Sequence, residues 1–160
     1  MSNYTAGVSA TDIRMLTPSE LAAWRGLLVV HSRLFLALDR ELEEAHGLPL
    51  RAYEVLLHLE DAPVGRRRMT ELAASVLLSQ SGVTRLVDRL EHDGLVRREP
   101  CEEDRRGHWA VLTDDGRRLF HEARPTHLAG VRRLFHARLD GDDLAALARC
   151  WEAVVPGSTA

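Results

Sequence analysis

A long run of regularly spaced apolar residues restricts how this 160-residue chain can fold more than any other feature. Its spacing alternates between three and four positions, which predicts a long helix with a broad apolar stripe. The seam consists of Leu21, Trp24, Leu28, His31, Phe35, Leu38 and Leu42. Thr17, Pro18 and Glu20 have the pattern of a capped helix start, and Gly47 and Pro49 provide stop signals. A helix this long and apolar needs a large partner surface.

Composition indicates a soluble globular protein, with 45% hydrophobic and 28% charged residues. The formal net charge of −3 does not by itself indicate a polyanion partner, although a locally basic face would be enough to bind one. The beginning of the chain lacks a basic-then-apolar targeting signal. The apolar stretch GLLVVHSRLFLAL is short for a membrane span and is interrupted by His31, Ser32 and Arg33. These patterns favour a cytoplasmic location without a membrane partner.

Shorter elements fill the middle of the chain. The patterns predict helices over 50–61 and 69–76, a turn over 62–68 between them, and a further helix from the Ser79 cap to Gly94. Two strand-like segments follow, LVRREP and HWAVL, joined by the turn CEEDRRG. Thr113 then caps a second long helix over 114–139 that Pro125 bends, and Asp140 caps a last helix over 141–155.

A polar cluster stands at the start of the helix that follows Ser79. Its members are Ser79, Gln80, Ser81, Thr84 and Arg85, while Val83, Leu86 and Leu90 supply the packing face. These polar side chains can bond to base edges or phosphates, and the helix N-terminus favours an anion. The alternative is that the serines only cap the helix and that Arg85 pairs with Asp88 or Glu91.

The chain resembles the MarR family of winged helix-turn-helix transcriptional regulators. The stretch DRRGHWAVLT is similar to the family pattern of Asp, any residue, Arg and then a strand ending in Leu-Thr, and SQSGVTRLVDRLEHDGLVRR resembles its recognition helix and first wing strand. The resemblance implies a mainly α fold with a small β-hairpin wing, an α+β class. It divides the chain into a flexible arm (1–16), dimerisation helices (17–48 and 114–156) and a winged helix-turn-helix DNA-binding lobe (49–113).

The resemblance further implies a homodimer that binds a pseudo-palindromic double-stranded DNA operator, with half-sites ~10 bp apart. Asp104 would brace the wing by an ion pair, and Arg105 and Arg106 would reach into the minor groove. The acidic residues Glu102 and Glu103 leave the net charge of the wing open. The run of arginines before the helix-turn-helix supplies candidate phosphate contacts, with a plain solvated turn as the alternative. The run is Arg66, Arg67 and Arg68.

Family members commonly respond to a small aromatic or anionic effector, and repression is the expected sign of regulation. A candidate pocket would use Arg51 as the counter-charge to an organic acid, next to His31, with Tyr53 or Trp24 as its apolar wall. The alternative is that His31 is a packed interface histidine and Arg51 an ordinary surface residue.

Other functions have weaker support in the sequence. There is no nucleophile–base pair or phosphate cradle, so neither an enzyme nor a cofactor is expected. His121, His127 and His136 lack metal-ligand spacing, and no metal site is expected. Cys101 is expected to be exposed at the wing, which would allow a redox-sensing regulator, whereas Cys150 is expected in the core. A winged-helix module that binds protein without sequence-specific DNA binding also stays open.

Overall fold

The computed structural model describes residues 14–76, 78–101 and 104–157, with residues 104–106 described by their backbone alone. The helices are α1 (Pro18–His46), α2 (Leu50–Glu60), α3 (Met69–Ser75), α4 (Gln80–His92), α5 (Asp114–Leu134) and α6 (Gly141–Val154). The strands are β1 (Arg66–Arg68), β2 (Val96–Cys101) and β3 (Asp104–Leu112), and a short 3₁₀ turn covers His136–Arg138. This mostly helical chain with a small antiparallel sheet confirms the predicted fold class. It divides into two compact units, 1–33 and 34–160.

The first unit contains the N-terminal part of α1, which starts as its capping pattern predicts. The Glu20 amide donates to Thr17 Oγ1 (3.3 Å), and the Thr17 amide donates to Glu20 Oε2 (2.7 Å), so each residue satisfies the other's backbone. The hydrogen bonds from Arg14, and then those from Thr17, lower the pKa of Glu20 to about 2. In the same unit Trp24 and Leu28 are exposed.

Helix α1 is longer than the apolar stretch considered in the sequence. It runs for 29 residues and contains an 18-residue window with a mean hydropathy of 1.4. By length and composition alone it is therefore long and apolar enough to cross a membrane. The sequence prediction that this segment is too short was wrong, because the helix continues beyond GLLVVHSRLFLAL on both sides.

The second unit has one hydrophobic core, to which α2, α4, the sheet and α5 all contribute. Leu42 of α1, Leu56 of α2, Val87 of α4 and Phe120 of α5 are each no more than 1% exposed. Burial of these side chains is the main stabilising term for the unit. It also fixes the direction in which α4 turns its other, polar face.

The three strands form one antiparallel sheet in the order β1-β3-β2. Strand β1 pairs Arg66 with Val111 and Arg68 with Trp109. The sequence prediction of a plain turn over 62–68 was wrong here, because arginines carry no strand signal and the strand exists through its pairing with distant β3. The predicted turn CEEDRRG was also too long, because β3 already begins at Asp104.

The ends of the helices follow the local signals. Gly47 and Gly94, just beyond α1 and α4, have φ angles of 62° and 73°, which glycine adopts without strain. Thr113 Oγ1 accepts from the Gly116 amide and caps α5, as predicted. The predicted helix over 114–139 is shorter in the structure, because α5 ends at Leu134 and the 3₁₀ turn follows.

Candidate nucleic-acid interface

Helices α3 and α4 form a helix-turn-helix, with one side of each helix in the core. Leu72 and Ala73 of α3 are buried, as are Val83, Val87 and Leu90 of α4. Because these apolar residues recur at helical spacing, the opposite side of α4 faces solvent. The polar cluster predicted at its N-terminal end therefore lies on an accessible surface.

Part of this cluster is used by the helix itself. Ser79 Oγ accepts from the Gly82 amide at 3.1 Å and is the N-cap of α4. The Thr84 hydroxyl donates to the Gln80 carbonyl at 2.9 Å, within the first turns. Ser79 thus caps the helix, and its hydroxyl can still contact a ligand at the helix end. Ser81 lies beside it, with the two hydroxyls 3.2 Å apart.

Arg85 is the cation that this end of α4 presents to solvent. Its side chain is exposed and has no ion-pair or hydrogen-bond partner among the side chains that the structure describes, which exclude those of 102–106. The alternative that Arg85 pairs with Asp88 or Glu91 is wrong, because both carboxylates pair with Arg98 instead. Gln80, one turn earlier, is also exposed. A guanidinium that no protein group holds is available for a phosphate or a guanine edge.

Arg98 of β2 is a functional candidate that sequence reasoning missed. Its Nη1 donates to Asp88 Oδ1 (2.6 Å) and Glu91 Oε2 (3.1 Å), and its Nη2 donates to the Thr84 carbonyl (3.2 Å). The Arg98 amide also donates to Glu91 Oε1 at 3.0 Å. The sequence pattern that could have indicated these ion pairs is two acidic residues three positions apart on the polar face of α4, followed by an arginine on the next strand.

A groove of about 430 Å³ separates α4 from the start of α3 and from the wing strand β3. Its lining includes Gln80 and Thr84 of α4, Arg68 at the start of α3, Arg98 of β2 and His108 of β3. The groove thus joins the predicted recognition helix to the predicted wing along one surface. Four of these five side chains, all except His108, carry a hydrogen-bond donor that does not depend on pH.

The wing residues to which the resemblance assigns DNA contacts are only partly described. Asp104, Arg105 and Arg106 lie in β3, but their side chains, and the whole of Glu102 and Glu103, are outside the described residues. Their predicted roles in bracing the wing and reaching the minor groove stay predictions.

The arginine run before α3 packs against the sheet. The guanidiniums of Arg66 and Arg68 stand over the Trp109 ring, 4.8 Å and 5.2 Å from its centroid. The Arg67 Nε donates to the His58 carbonyl at 2.8 Å, and its Nη1 lies 3.5 Å from Ser75 Oγ. The plain solvated turn is therefore ruled out as the alternative, and Arg67 in particular is held by protein acceptors.

The residues of the candidate effector pocket fall in both units. Trp24 and His31 belong to the first unit and are exposed in the single chain. The alternative that His31 packs in a dimer interface stays a prediction. Arg51 belongs to the second unit, where its guanidinium lies 4.7 Å from the centroid of the Phe35 ring. Its Nη1 also donates to Glu54 and to the Val76 carbonyl.

Tyr53 is buried between two rings, with centroid distances of 5.3 Å to Phe120 and 4.5 Å to His127. Burial raises its pKa and keeps the phenol neutral. Tyr53 is thus a core residue of the second unit, and its role as the apolar wall of an effector pocket stays a prediction.

Both cysteine predictions were wrong. Cys101, the last residue of β2, is buried and 5% exposed, whereas Cys150 is exposed on α6. Of the three histidines on the second long segment, His121 pairs with Glu60 and His127 stacks on Tyr53. In the described part of the chain no three His, Cys, Asp or Glu side chains are grouped as a metal would require.

Comparison with known proteins gives one consistent result. Residues 46–107 match the model of the MarR family. The structure is similar to AbsC, a MarR family transcriptional regulator from Streptomyces coelicolor, with 37% identity, a TM-score of 0.82, and coverage of 89% of this chain and 95% of that one. It is also similar to Sco3205, a MarR family transcriptional regulator from the same organism solved in complex with DNA, with 36% identity, a TM-score of 0.85 and 91% of each chain covered.

Curated relatives agree over shorter stretches. The transcriptional regulator PecS of Dickeya dadantii is 31% identical over 106 residues, which cover 63% of each protein. A Bacillus subtilis regulator, YkoM, is 31% identical over 71 residues, or 46% of its length. The matched part of this chain thus spans about half of one relative and somewhat under two thirds of the other. All of these relatives are transcriptional regulators rather than enzymes, which agrees with the prediction from the sequence.

Proposed function

This chain belongs to the MarR family, and from that premise we propose that it is a DNA-binding regulator of transcription, a repressor, that binds a pseudo-palindromic operator as a homodimer in the cytoplasm. Helix α4 is its recognition helix and enters the major groove with its N-terminal end. The observation that carries the proposal is the exposed, unpartnered guanidinium of Arg85, next to exposed Gln80, on a helix whose opposite face is buried in the core.

The chemistry of this surface fits DNA better than it fits a protein partner. Gln80 and Arg85 are the side-chain types that make bidentate contacts with adenine and guanine edges, respectively. Ser79 and Ser81 add hydroxyls at a helix N-terminus, where a phosphate is favoured. The centre of a protein–protein interface is enriched in aromatic side chains, and α4 has none.

The wing and the sheet edge extend the interface. Arg105 and Arg106 enter the minor groove with Asp104 as their brace, and Arg66 and Arg68 contact phosphates from the sheet edge. Stacking on Trp109 favours this role for Arg66 and Arg68, since it orders two long side chains before DNA arrives. Arg67, tied to His58, contributes least.

Dimerisation accounts for the apolar residues that each unit leaves exposed. Trp24, Leu28 and Val30 of α1 are about half exposed, and Val154 of α6 is 65% exposed. Apolar surface of this extent is costly in water, and a second copy of the chain would cover it. Sedimentation of the purified protein without detergent should give twice the chain mass. A monomer that floats with liposomes would instead favour a membrane as the partner of α1.

The proposal includes the binding of a small aromatic or anionic effector that releases the DNA. Arg51 remains its candidate counter-charge, although Glu54 and Phe35 now occupy the guanidinium. A ligand screen against the protein–DNA complex tests this part, with release of DNA as the expected result.

The central experiment selects duplexes from fragmented genomic DNA with the purified wild-type protein. We expect enrichment of an inverted repeat whose half-sites are ~10 bp apart. Arg85→Ala should then lose about 1–3 kcal/mol at specific base positions. Arg118→Ala is the matched control, because it removes one exposed arginine from α5 that pairs with Asp115. Failure of the wild-type protein to prefer any genomic duplex over random DNA would refute the regulator function.

A further inference from the structure

The polar face of the recognition helix carries two carboxylates where DNA phosphates would approach. Asp88 and Glu91 lie on α4, with side chains 51% and 39% exposed, respectively. Left unpaired, they would repel a polyanion and oppose binding of α4. The structure pairs both of them with one arginine from the neighbouring strand, Arg98.

Arg98 makes a set of contacts that spans much of α4. Its guanidinium reaches the Thr84 carbonyl in the second turn, Asp88 one turn later and Glu91 near the end of the helix. Glu91 closes the set, since its other oxygen accepts from the Arg98 backbone amide. The planar fork of arginine, with donors on both terminal nitrogens, can hold several acceptors at once, whereas lysine offers a single point charge.

The contacts also indicate what Arg98 does not do. Its side chain is 22% exposed, and both terminal nitrogens already donate to protein oxygens. Arg85 on the same surface has none of these partners among the described residues. Arg98 on the neighbouring strand is therefore held by the protein, whereas Arg85 on the recognition helix is available to a ligand.

We propose that Arg98 is a positioning residue for DNA recognition: it holds α4, from its second turn to its end, against β2 and neutralises Asp88 and Glu91, and it does not itself contact DNA. This inference rests on the proposed DNA-binding function. In this proposal, the preference for a DNA sequence depends in part on Arg98 of β2, which acts through the position of α4.

The test compares Arg98→Met with Arg97→Met. Methionine keeps much of the aliphatic stem and removes the guanidinium. Arg97 is the matched control on the same strand, because its guanidinium is more exposed and pairs with Glu99 rather than with α4. Affinity is measured over a series of salt concentrations, for a duplex selected by the wild-type protein and for a random duplex of equal length.

For Arg98→Met we expect affinity for the selected duplex to fall about tenfold or more, as loss of hydrogen bonds between charged groups implies. The ratio of specific to random binding should fall with it, while the log–log salt slope stays that of the wild type. Arg98→Lys should not restore the ratio. Removing the carboxylates as well, in Asp88→Asn/Glu91→Gln/Arg98→Met, should restore part of the affinity. Arg97→Met should leave the ratio unchanged.

Two results would overturn the inference. If the salt slope drops by about one unit and both duplexes lose affinity equally, Arg98 is a direct phosphate contact. If Arg98→Met binds both duplexes as the wild type does, α4 needs no such support.

A measurement without DNA keeps the inference testable if the wild-type protein selects no duplex, a result that would refute the proposed function alone. In urea unfolding, Arg98→Met and Asp88→Asn should together shift the midpoint by less than the sum of their separate shifts, because they remove the same contact. Additive shifts would refute the contact itself.

Discussion

Replacing Gly116 with alanine should destabilise the protein where α5 joins the sheet. A Cβ at this buried position would lie 2.9 Å from Leu112 Cδ1 and 3.0 Å from the Leu95 carbonyl carbon, and closer still to the carbonyl oxygen. The obstacle is backbone, which cannot rotate away, so the start of α5 must move. That movement breaks the bonds from the Thr113 amide and hydroxyl to the Leu95 carbonyl, now 3.2 Å and 3.0 Å long.

The size of the effect follows from these contacts. Each hydrogen bond contributes about 1 kcal/mol, and the disturbed Thr113 cap contributes about 1 kcal/mol more. Alanine favours the helix over glycine by about 1 kcal/mol, which offsets part of this loss. The free energy of unfolding should therefore fall by about 2 kcal/mol. For a chain of this size the expected fall in Tm is about 4–8 °C. Because Leu95 lies just before β2, DNA binding should weaken as well.

Thermal unfolding followed by circular dichroism measures this loss, at one fixed protein concentration because a dimer's Tm depends on it. Gly141→Ala is the matched control, since a Cβ there meets no atom within 4 Å at the exposed start of α6. It should be neutral or slightly stabilising. A Tm for Gly116→Ala equal to or above that of the wild type would refute the reasoning.

Three further predictions concern the helix end, the wing and pH. Ser79→Ala removes the cap of α4 and should cost about 1 kcal/mol in urea unfolding, whereas Ser79→Asp should retain most of it. Arg106→Ala should weaken operator binding in a fluorescence-anisotropy titration, and unchanged affinity would mean that the wing does not touch DNA. Acidification from pH 7.5 to 5.5 should lower the free energy of unfolding. Burial lowers the pKa of both His127 and His58 in the folded state, and Arg67 adds to the effect at His58. The unfolded chain therefore binds more protons than the folded one below about pH 6.5. His127→Phe should flatten that dependence, and an unaltered pH profile would contradict it.

Short-range signals made much of the architecture predictable. Caps such as those of Ser79, Thr113 and Asp140 act within one helical turn. Gly94 follows the end of α4 with a positive φ angle, which glycine adopts without help from distant residues. Heptad spacing predicted α1 because the pattern repeats along a single helix. The polar cluster at the start of α4 was predictable for the same reason, since its members lie within seven residues of one another.

Contacts between distant segments were decided only by the tertiary structure. β1 exists because three arginines pair with β3 some 40 residues later, and no local pattern indicates such a partner. Cys101 is buried and Cys150 exposed, because the surroundings of each depend on other elements. By itself the sequence determined the helices, their ends and which polar side chains gather at the start of α4. Only the tertiary structure decided which arginine is held by protein carboxylates and which is available to DNA. Asp88 and Glu91 form ion pairs with Arg98 on β2 and not with Arg85 on their own helix, because folding brings β2 against α4.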